Sequence, residues 1–263
     1  MHIGVIGIRS KHLNFFRKAL AFCFPGGEHT ITHICGYDAP ELLAQHRDLC
    51  ICPTPEALIA SVDAVIIALR EGYQHAALAE RCIKEKKPVF VDKPFTCDPK
   101  EAEHLYHFAQ QSGVPCTGGS TVCLIPEVEA LRANLPTCAE YTLSYMADPF
   151  SPFGGWYFYG SHMTDLCVTL FGAGWQKVRA RIEGSRVSAT VDYPEFQVHI
   201  CTSPEVQPLL VRADRDYVLD DQHCYEAGMQ HYIAVAEGRE PGRANMLAAS
   251  TRLLDEIVSA LRG

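Results

Sequence analysis

Short apolar runs alternate with stretches of helical period through the first 120 residues. Residues 3–6 are an apolar run that ends at Gly7, and residues 11–22 carry a helical pattern. A second β-rich run, 30–37, ends at Asp38, followed by a short helix and a minor strand near 49–52. The segment Pro53-Thr54-Pro55-Glu56 opens a helix, with Thr54 as its cap and Pro55 at the first helical position. Residues 62–69 are an almost continuous apolar strand, 74–85 read as a helix, and 88–91 are another buried strand before Asp92-Lys93-Pro94. A helix over 98–112 takes Asp98 as cap and Gly113 as stop, and 114–117 form a last short strand. Strands apolar on both faces and separated by helices predict a parallel sheet covered on both sides. Right-handed crossovers make such a sheet doubly wound.

The pattern changes after about Gly119. Residues 122–134 predict a linking helix. From Glu140 onward strands lengthen and alternate, at 179–183, 187–191, 196–201 and 209–212, with one helix over 161–171 between them. Two helices, 222–237 and 244–261, close the chain. Alternation of this kind suits an antiparallel sheet with one open face. The expected fold class is therefore α/β: an N-terminal Rossmann-type doubly wound parallel sheet, then an α+β region with a mainly antiparallel open sheet. The expected division is 1–119 for dinucleotide binding and 120–263 for substrate and oligomerisation, the last helix packing back on the first domain. An open sheet face with alternating apolar residues is a natural contact surface, so a homodimer or homotetramer is expected.

Composition narrows the function classes. In 263 residues, 48% are hydrophobic, enough to bury a core, and the formal charge is −8. Nucleic-acid binding relies on basic patches that neutralise phosphates; residues 84–87 are the nearest approach, too short and interrupted, and read as a solvated helix end. No apolar run is long enough to span a membrane, and Met1 leads straight into a strand-like run, so a cytoplasmic protein is expected. Twelve cysteines would be reduced in that compartment. Only Cys50-x-Cys52 approaches metal-ligand spacing, with no second pair near it, so no metal is expected; a zinc protein is the reading that the cysteine and histidine counts alone would motivate.

Four places carry candidate chemistry. Gly7, Ile8, Arg9 and Ser10 form the turn after the first strand; Arg9 and His12 stand where a dinucleotide fingerprint has its second and third glycines. A turn opening a helix still offers amide groups to an anion, and Arg9 or Ser10 can reach a phosphate. Asp38, at the end of the second strand, is placed to accept from the ribose hydroxyls of NAD and to repel the extra phosphate of NADP. Lys93 leaves the end of an apolar strand, where ligands bind in parallel sheets, and Pro94 stiffens its backbone. His162 and Asp165 share a face of the helix over 161–171, with Ser161 as its cap; His162 is a natural acid or base, and Asp165 either orients it or satisfies the helix start. An ordinary strand-end Asp38, a surface Lys93 and a structural His162 are the competing readings.

Together these residues resemble the family of glucose–fructose oxidoreductase and inositol dehydrogenase (Gfo/Idh/MocA), of which this chain looks like a short member. The match runs through residues 62–68, His75 and the stretch 86–95, where Asp92-Lys93-Pro94 stands for the family's usual Glu-Lys-Pro. It continues in Glu101-Ala102, Gly154-Gly155 and Gly160-x-His162-x-x-Asp165-Leu166. The resemblance implies a Rossmann fold, NAD or NADP as cofactor, and hydride transfer at a carbinol carbon of a sugar, cyclitol or similar small polyol. By position it implies Lys93 at substrate and nicotinamide, His162 as acid/base, and Gly7, the turn behind it, Asp38 and His75 near the cofactor. Where the family commonly has an Asp four residues before the histidine, this chain has Phe158; Tyr157 or Tyr159 is the candidate replacement hydroxyl, and the Arg usual after Gly119 is missing. The other reading is a catalytically silent relative, a nucleotide- or sugar-binding sensor or partner subunit.

Overall fold

A computed structural model describes residues 1–205 and 207–263. The apolar runs become a six-stranded parallel sheet in the order β3-β2-β1-β4-β5-β6. Its strands are β1 (His2–Ile6), β2 (Thr30–Cys35), β3 (Cys50–Ile51), β4 (Ala64–Ile67), β5 (Val89–Asp92) and β6 (Cys116–Gly119). This is the doubly wound order whose carboxyl edge carries ligands at the β1–β4 switch point. Four helices connect these strands: α1 (His12–Cys23), α2 (Pro55–Ser61), α3 (His75–Lys84) and α4 (Pro99–Ser112). Their ends follow local chemistry. Thr54 Oγ1 accepts from the Ala57 amide at 3.2 Å, Asp98 from the Lys100 amide at 2.7 Å, and Gly113 stops α4 with φ +63°.

The link to the second sheet breaks where a single helix was expected. A 3-10 turn spans Thr121–Leu124, Ile125 is extended, and α5 runs Pro126–Ala133. Proline disfavours helical backbone in the residue before it, so Ile125 cannot carry a helix through. The second sheet has the order β12-β11-β7-β10-β9-β8, formed by β7 (Glu140–Met146), β8 (Lys177–Glu183), β9 (Arg186–Asp192), β10 (Gln197–Ser203), β11 (Leu209–Arg212) and β12 (Asp216–Leu219). Among the described residues of this sheet, only β7 and β10 pair in parallel.

The helix expected from 161 begins five residues earlier, as α6 (Trp156–Phe171). Gly154 (φ +104°) and Gly155 (φ +64°) turn the chain there, in backbone that side-chain-bearing residues avoid. Ser161 is therefore inside the helix and donates to the Phe158 carbonyl at 3.1 Å rather than capping.

Alternation in the second sheet points Leu143, Val187, Val191, Val198 and Ile200 inward against α6 and the last helix, α8 (Ala244–Arg262). The open face differs from expectation. It carries Thr142, Arg179, Arg181, Ser188, Thr190, His199 and Arg212 around a depression of about 580 Å³, so it is polar and basic rather than apolar.

Both closing helices return to the first sheet. Ala244 and Leu247 of α8 pack with Leu105 and Val91 on one face. On the other, Met229, Tyr232 and Ile233 of α7 (Cys224–Ala236) pack with Phe16 and Phe90. The buried Tyr232 hydroxyl donates to the Val65 carbonyl at 2.8 Å. Tyr232→Phe is expected to lower the unfolding free energy by about 1 kcal/mol in urea; an unchanged midpoint would remove this bond from the account.

Candidate active site

The carboxyl edge of the first sheet gathers the candidate residues. At the exit of β1, Gly7 has φ +95°, and a Cβ there would sit 2.8 Å from the Leu69 amide nitrogen. Glycine is thus required by the close approach of β4's exit. Beyond it, the Asp38 carboxylate accepts from the Ile8 amide at 3.0 and 3.2 Å and from the Arg9 amide at 3.0 Å, while the Arg9 guanidinium donates to the Asp38 carbonyl. Ser10 is buried, and its Oγ accepts from the His12 amide at 3.2 Å. Among the described residues, no acceptor takes the Ser10 or Lys11 amides. These amides open a 12-residue helix, the arrangement that receives a phosphate. The turn and Asp38 thus fit a dinucleotide: open amides for the pyrophosphate, and a carboxylate at the end of β2 for the ribose. His12, in place of the third glycine, is not inert; its ring pairs with the Asp92 carboxylate beside Lys93.

Lys93 follows β5 directly and is 4% exposed. Its Nζ lies 3.4 Å from the centre of the Phe158 ring, 5.0 Å from that of Tyr159, and 3.4 Å from the Phe158 carbonyl oxygen. Burial lowers its ammonium to about 8, against the pull of Asp92 and aided by Arg70. His75 does not open toward the edge. It is fully buried, with Nδ1 2.7 Å from the Pro94 carbonyl and Nε2 3.0 Å from the Leu69 carbonyl, and so ties together the exits of β4 and β5.

His162 sits on α6 one turn after Phe158, half-buried, with Nδ1 2.7 Å from Ser120 Oγ and its ring edge-on to Tyr145. Burial first, and the Lys93 ammonium second, hold it well below the usual histidine range. Asp165 shares the helix but makes no hydrogen bond to His162. Its carboxylate accepts from the Ser120 amide at 2.6 Å and from the Ser250 hydroxyl. Gly119 permits this: its φ is +76°, and a Cβ there would lie 2.6 Å from Asp165 Oδ2. Asp165 thus orients His162 at one remove, through Ser120. Of the two tyrosines, Tyr157 is engaged with Asp255 at 2.6 Å, which leaves Tyr159 beside Lys93.

Ser120, Arg70 at the exit of β4, and the pairing of His12 with Asp92 are the site features that sequence reasoning did not find. Arg70 directly follows the apolar strand run, at the strand end where ligands bind, and that position was the available signal. Among the described residues, no group of three potential metal ligands comes together, and no helix is long and apolar enough to cross a membrane. All twelve cysteines are free; burial pushes the Cys116 and Cys167 thiols up to about 12.

Comparisons with known proteins bear on the fold. Residues 1–120 match the model of an oxidoreductase family with an NAD-binding Rossmann fold, GFO_IDH_MocA. The UDP-N-acetylglucosamine 3-dehydrogenase of Acidithiobacillus ferrooxidans is 31% identical over 100 residues, which span 38% of this chain and 32% of that relative. A solved structure under that name, from the same organism, superposes at a TM-score of 0.81 and 20% identity over 99% of this chain and 97% of its own. The WlbA dehydrogenase of Thermus thermophilus, crystallised with NAD and UDP-GlcNAcA, gives 0.77 at 15% identity over 97% of this chain and 94% of its own. A 3-ketoreductase of Actinomadura kijaniata, crystallised with NADP and TDP-benzene, gives 0.79 at 16% identity over 99% and 98%. At these identities the superpositions show a shared fold, a Rossmann sheet followed by a mixed, mostly antiparallel one. The family resemblance is carried by residues 1–120, which match the model of the Gfo/Idh/MocA oxidoreductases, an NAD-binding family.

Proposed function

We propose that this chain is an NAD-dependent dehydrogenase acting at a carbinol carbon of a sugar, cyclitol or similar small polyol. The observation that carries the reading is the meeting of Lys93, from the end of β5, with α6 one turn before His162. The similarity to a sugar-nucleotide dehydrogenase supports a sugar-type substrate. Bound nicotinamide would supply the hydride acceptor. The chain's own residues do the rest. Asp38 favours a ribose with two free hydroxyls and repels a 2′-phosphate. Lys93 donates to the reacting hydroxyl oxygen and stabilises the negative charge that develops there. His162, with Nδ1 held on Ser120, takes the hydroxyl proton on Nε2; its burial keeps it neutral, the form able to accept a proton.

Calorimetry with NAD and NADP in both redox states tests this directly. NAD(H) is expected to bind at least about tenfold more tightly than NADP(H), a difference of roughly 1.4 kcal/mol. Equal affinities would take Asp38 out of its role, and no binding of any form would sink the dehydrogenase reading. One observation favours a second reading: the Phe158 ring covers Lys93 Nζ where the resemblance implies a carboxylate. A silent relative, serving as a nucleotide- or sugar-binding sensor or partner subunit, would bind ligand without turnover. Oxidation of any member of a polyol panel would exclude it.

A further inference from the structure

Arg70 leaves β4, the strand paired with β5, and its guanidinium, like the Lys93 ammonium, lies against a ring of the segment 153–158. The Arg70 guanidinium carbon is 4.5 Å from the centre of the Phe153 ring, and Lys93 Nζ is 3.4 Å from that of Phe158. The two rings are 5.3 Å apart. Cations and rings thus form one layer over the exits of β4 and β5.

This layer lacks negative charge. Among the described residues, neither Arg70 nor Lys93 has a carboxylate within the 4.0 Å of an ion pair. Asp92 is taken by His12, and Asp165 is turned to Ser120 and Ser250. Arg70 Nε is buried and has no hydrogen-bond partner. A buried N–H without an acceptor is unfavourable until one reaches it, and a ring face offers far less than an anionic oxygen. The Phe158 side chain presents only its ring to Lys93, so this layer takes no carboxylate from that position either.

We infer that Arg70 takes an anionic group of the substrate, a carboxylate or a phosphate, and so selects acidic over neutral sugars. The inference deepens the proposed function and rests on Lys93 serving the reacting hydroxyl. The guanidinium is planar, stays charged at any working pH, and presents paired N–H donors that match both anions. Lys93 remains free for the hydroxyl. Arg70 also helps to hold the Lys93 ammonium down, and an anion bound at Arg70 offsets that pressure.

The test is calorimetry on the full chain, with NAD present and absent, using D-gluconate and D-glucose 6-phosphate against D-glucose as the neutral probe. Wild type, Arg70→Gln and Arg70→Lys are compared, with NAD affinity measured separately and the melting midpoint as a folding control. Wild type is expected to bind at least one acid about tenfold or more tightly than glucose. Arg70→Gln should abolish that preference, Arg70→Lys should keep part of it, and NAD affinity should be unchanged. A wild type without acid preference, or an Arg70→Gln variant that keeps it, overturns the inference. So does a loss of NAD affinity in Arg70→Gln with acid preference intact, since the anion at Arg70 would then be the dinucleotide's phosphate. Acid binding that depends on Arg70 in a chain that never binds NAD would leave the anion site standing and refute the dehydrogenase reading alone.

Discussion

Lys93→Ala is expected to lower turnover about a hundredfold to ten-thousandfold while leaving dinucleotide affinity near its wild-type value. The ammonium sits beyond the end of β5, against α6, where the proposed function puts the substrate, whereas it gives the dinucleotide's phosphates to the turn after β1. Deleting it removes a donor to the reacting oxygen without opening the sheet. Its pH signature is specific. Burial lowers the ammonium to about 8, so it is charged in the neutral range and loses its proton as the pH rises through that value. His162 is neutral across the same range, because burial and Lys93 hold it well below the usual histidine value. The kcat/KM profile should therefore be level near neutrality and fall above about pH 8. Lys93→Arg, charged at all working pH, should lose that fall even if its rate is low. Unchanged turnover in Lys93→Ala, or an alkaline fall that survives in Lys93→Arg, would remove Lys93 from the chemistry.

Asp165→Ala is expected to destabilise the protein by about 2–3 kcal/mol, since it orphans the buried Ser120 amide and leaves space beside Gly119. Asp165→Asn should lose about 1 kcal/mol or less. Its amide oxygen still accepts from the Ser120 amide, and its NH2 donates to Ser250 Oγ, which can in turn donate to Thr164 Oγ1. The two substitutions also differ with pH. Burial raises the Asp165 carboxyl above its ordinary value. The folded state thus favours the protonated acid, whose stabilising contribution is whole below the unfolded-state value and fades as the pH climbs through the folded one. Asp165→Asn does not titrate, so its stability relative to wild type should improve from acid to neutral pH. Urea midpoints at several pH values read this out, and a gap between wild type and Asp165→Asn that ignores pH would contradict it. Activity should fall further in the alanine variant than in the asparagine one, because Ser120 holds His162.

The first sheet was legible because its strands are short, apolar on both faces and separated by capped helices, a pattern local sequence can carry. The ends of those strands then placed Asp38 and Lys93, and the helical period placed His162. What escaped depends on contacts across long stretches of chain. Ser120 meets His162 from 42 residues away, and His12 reaches Asp92 from 80. Periodicity says which side of a strand or helix faces inward, but not which loop it will meet. The same limit explains Asp165: three positions from His162 on one helix, it turns to Ser120 because Gly119 lets the backbone of β6 come close. The early start of α6 was written in Gly154-Gly155, two residues that tolerate a turn but do not by themselves say that a helix follows.

The return of α7 and α8 to the first sheet bears on how this protein can be taken apart. Tyr232 and Leu247 supply cover for strands that precede them by more than a hundred residues. A fragment cut after Gly119 would bare Phe16 and Phe90 on one side and Val91 and Leu105 on the other, and should be sticky and poorly folded. The first sheet is not a portable cassette, and swapping it between relatives means carrying the last two helices with it.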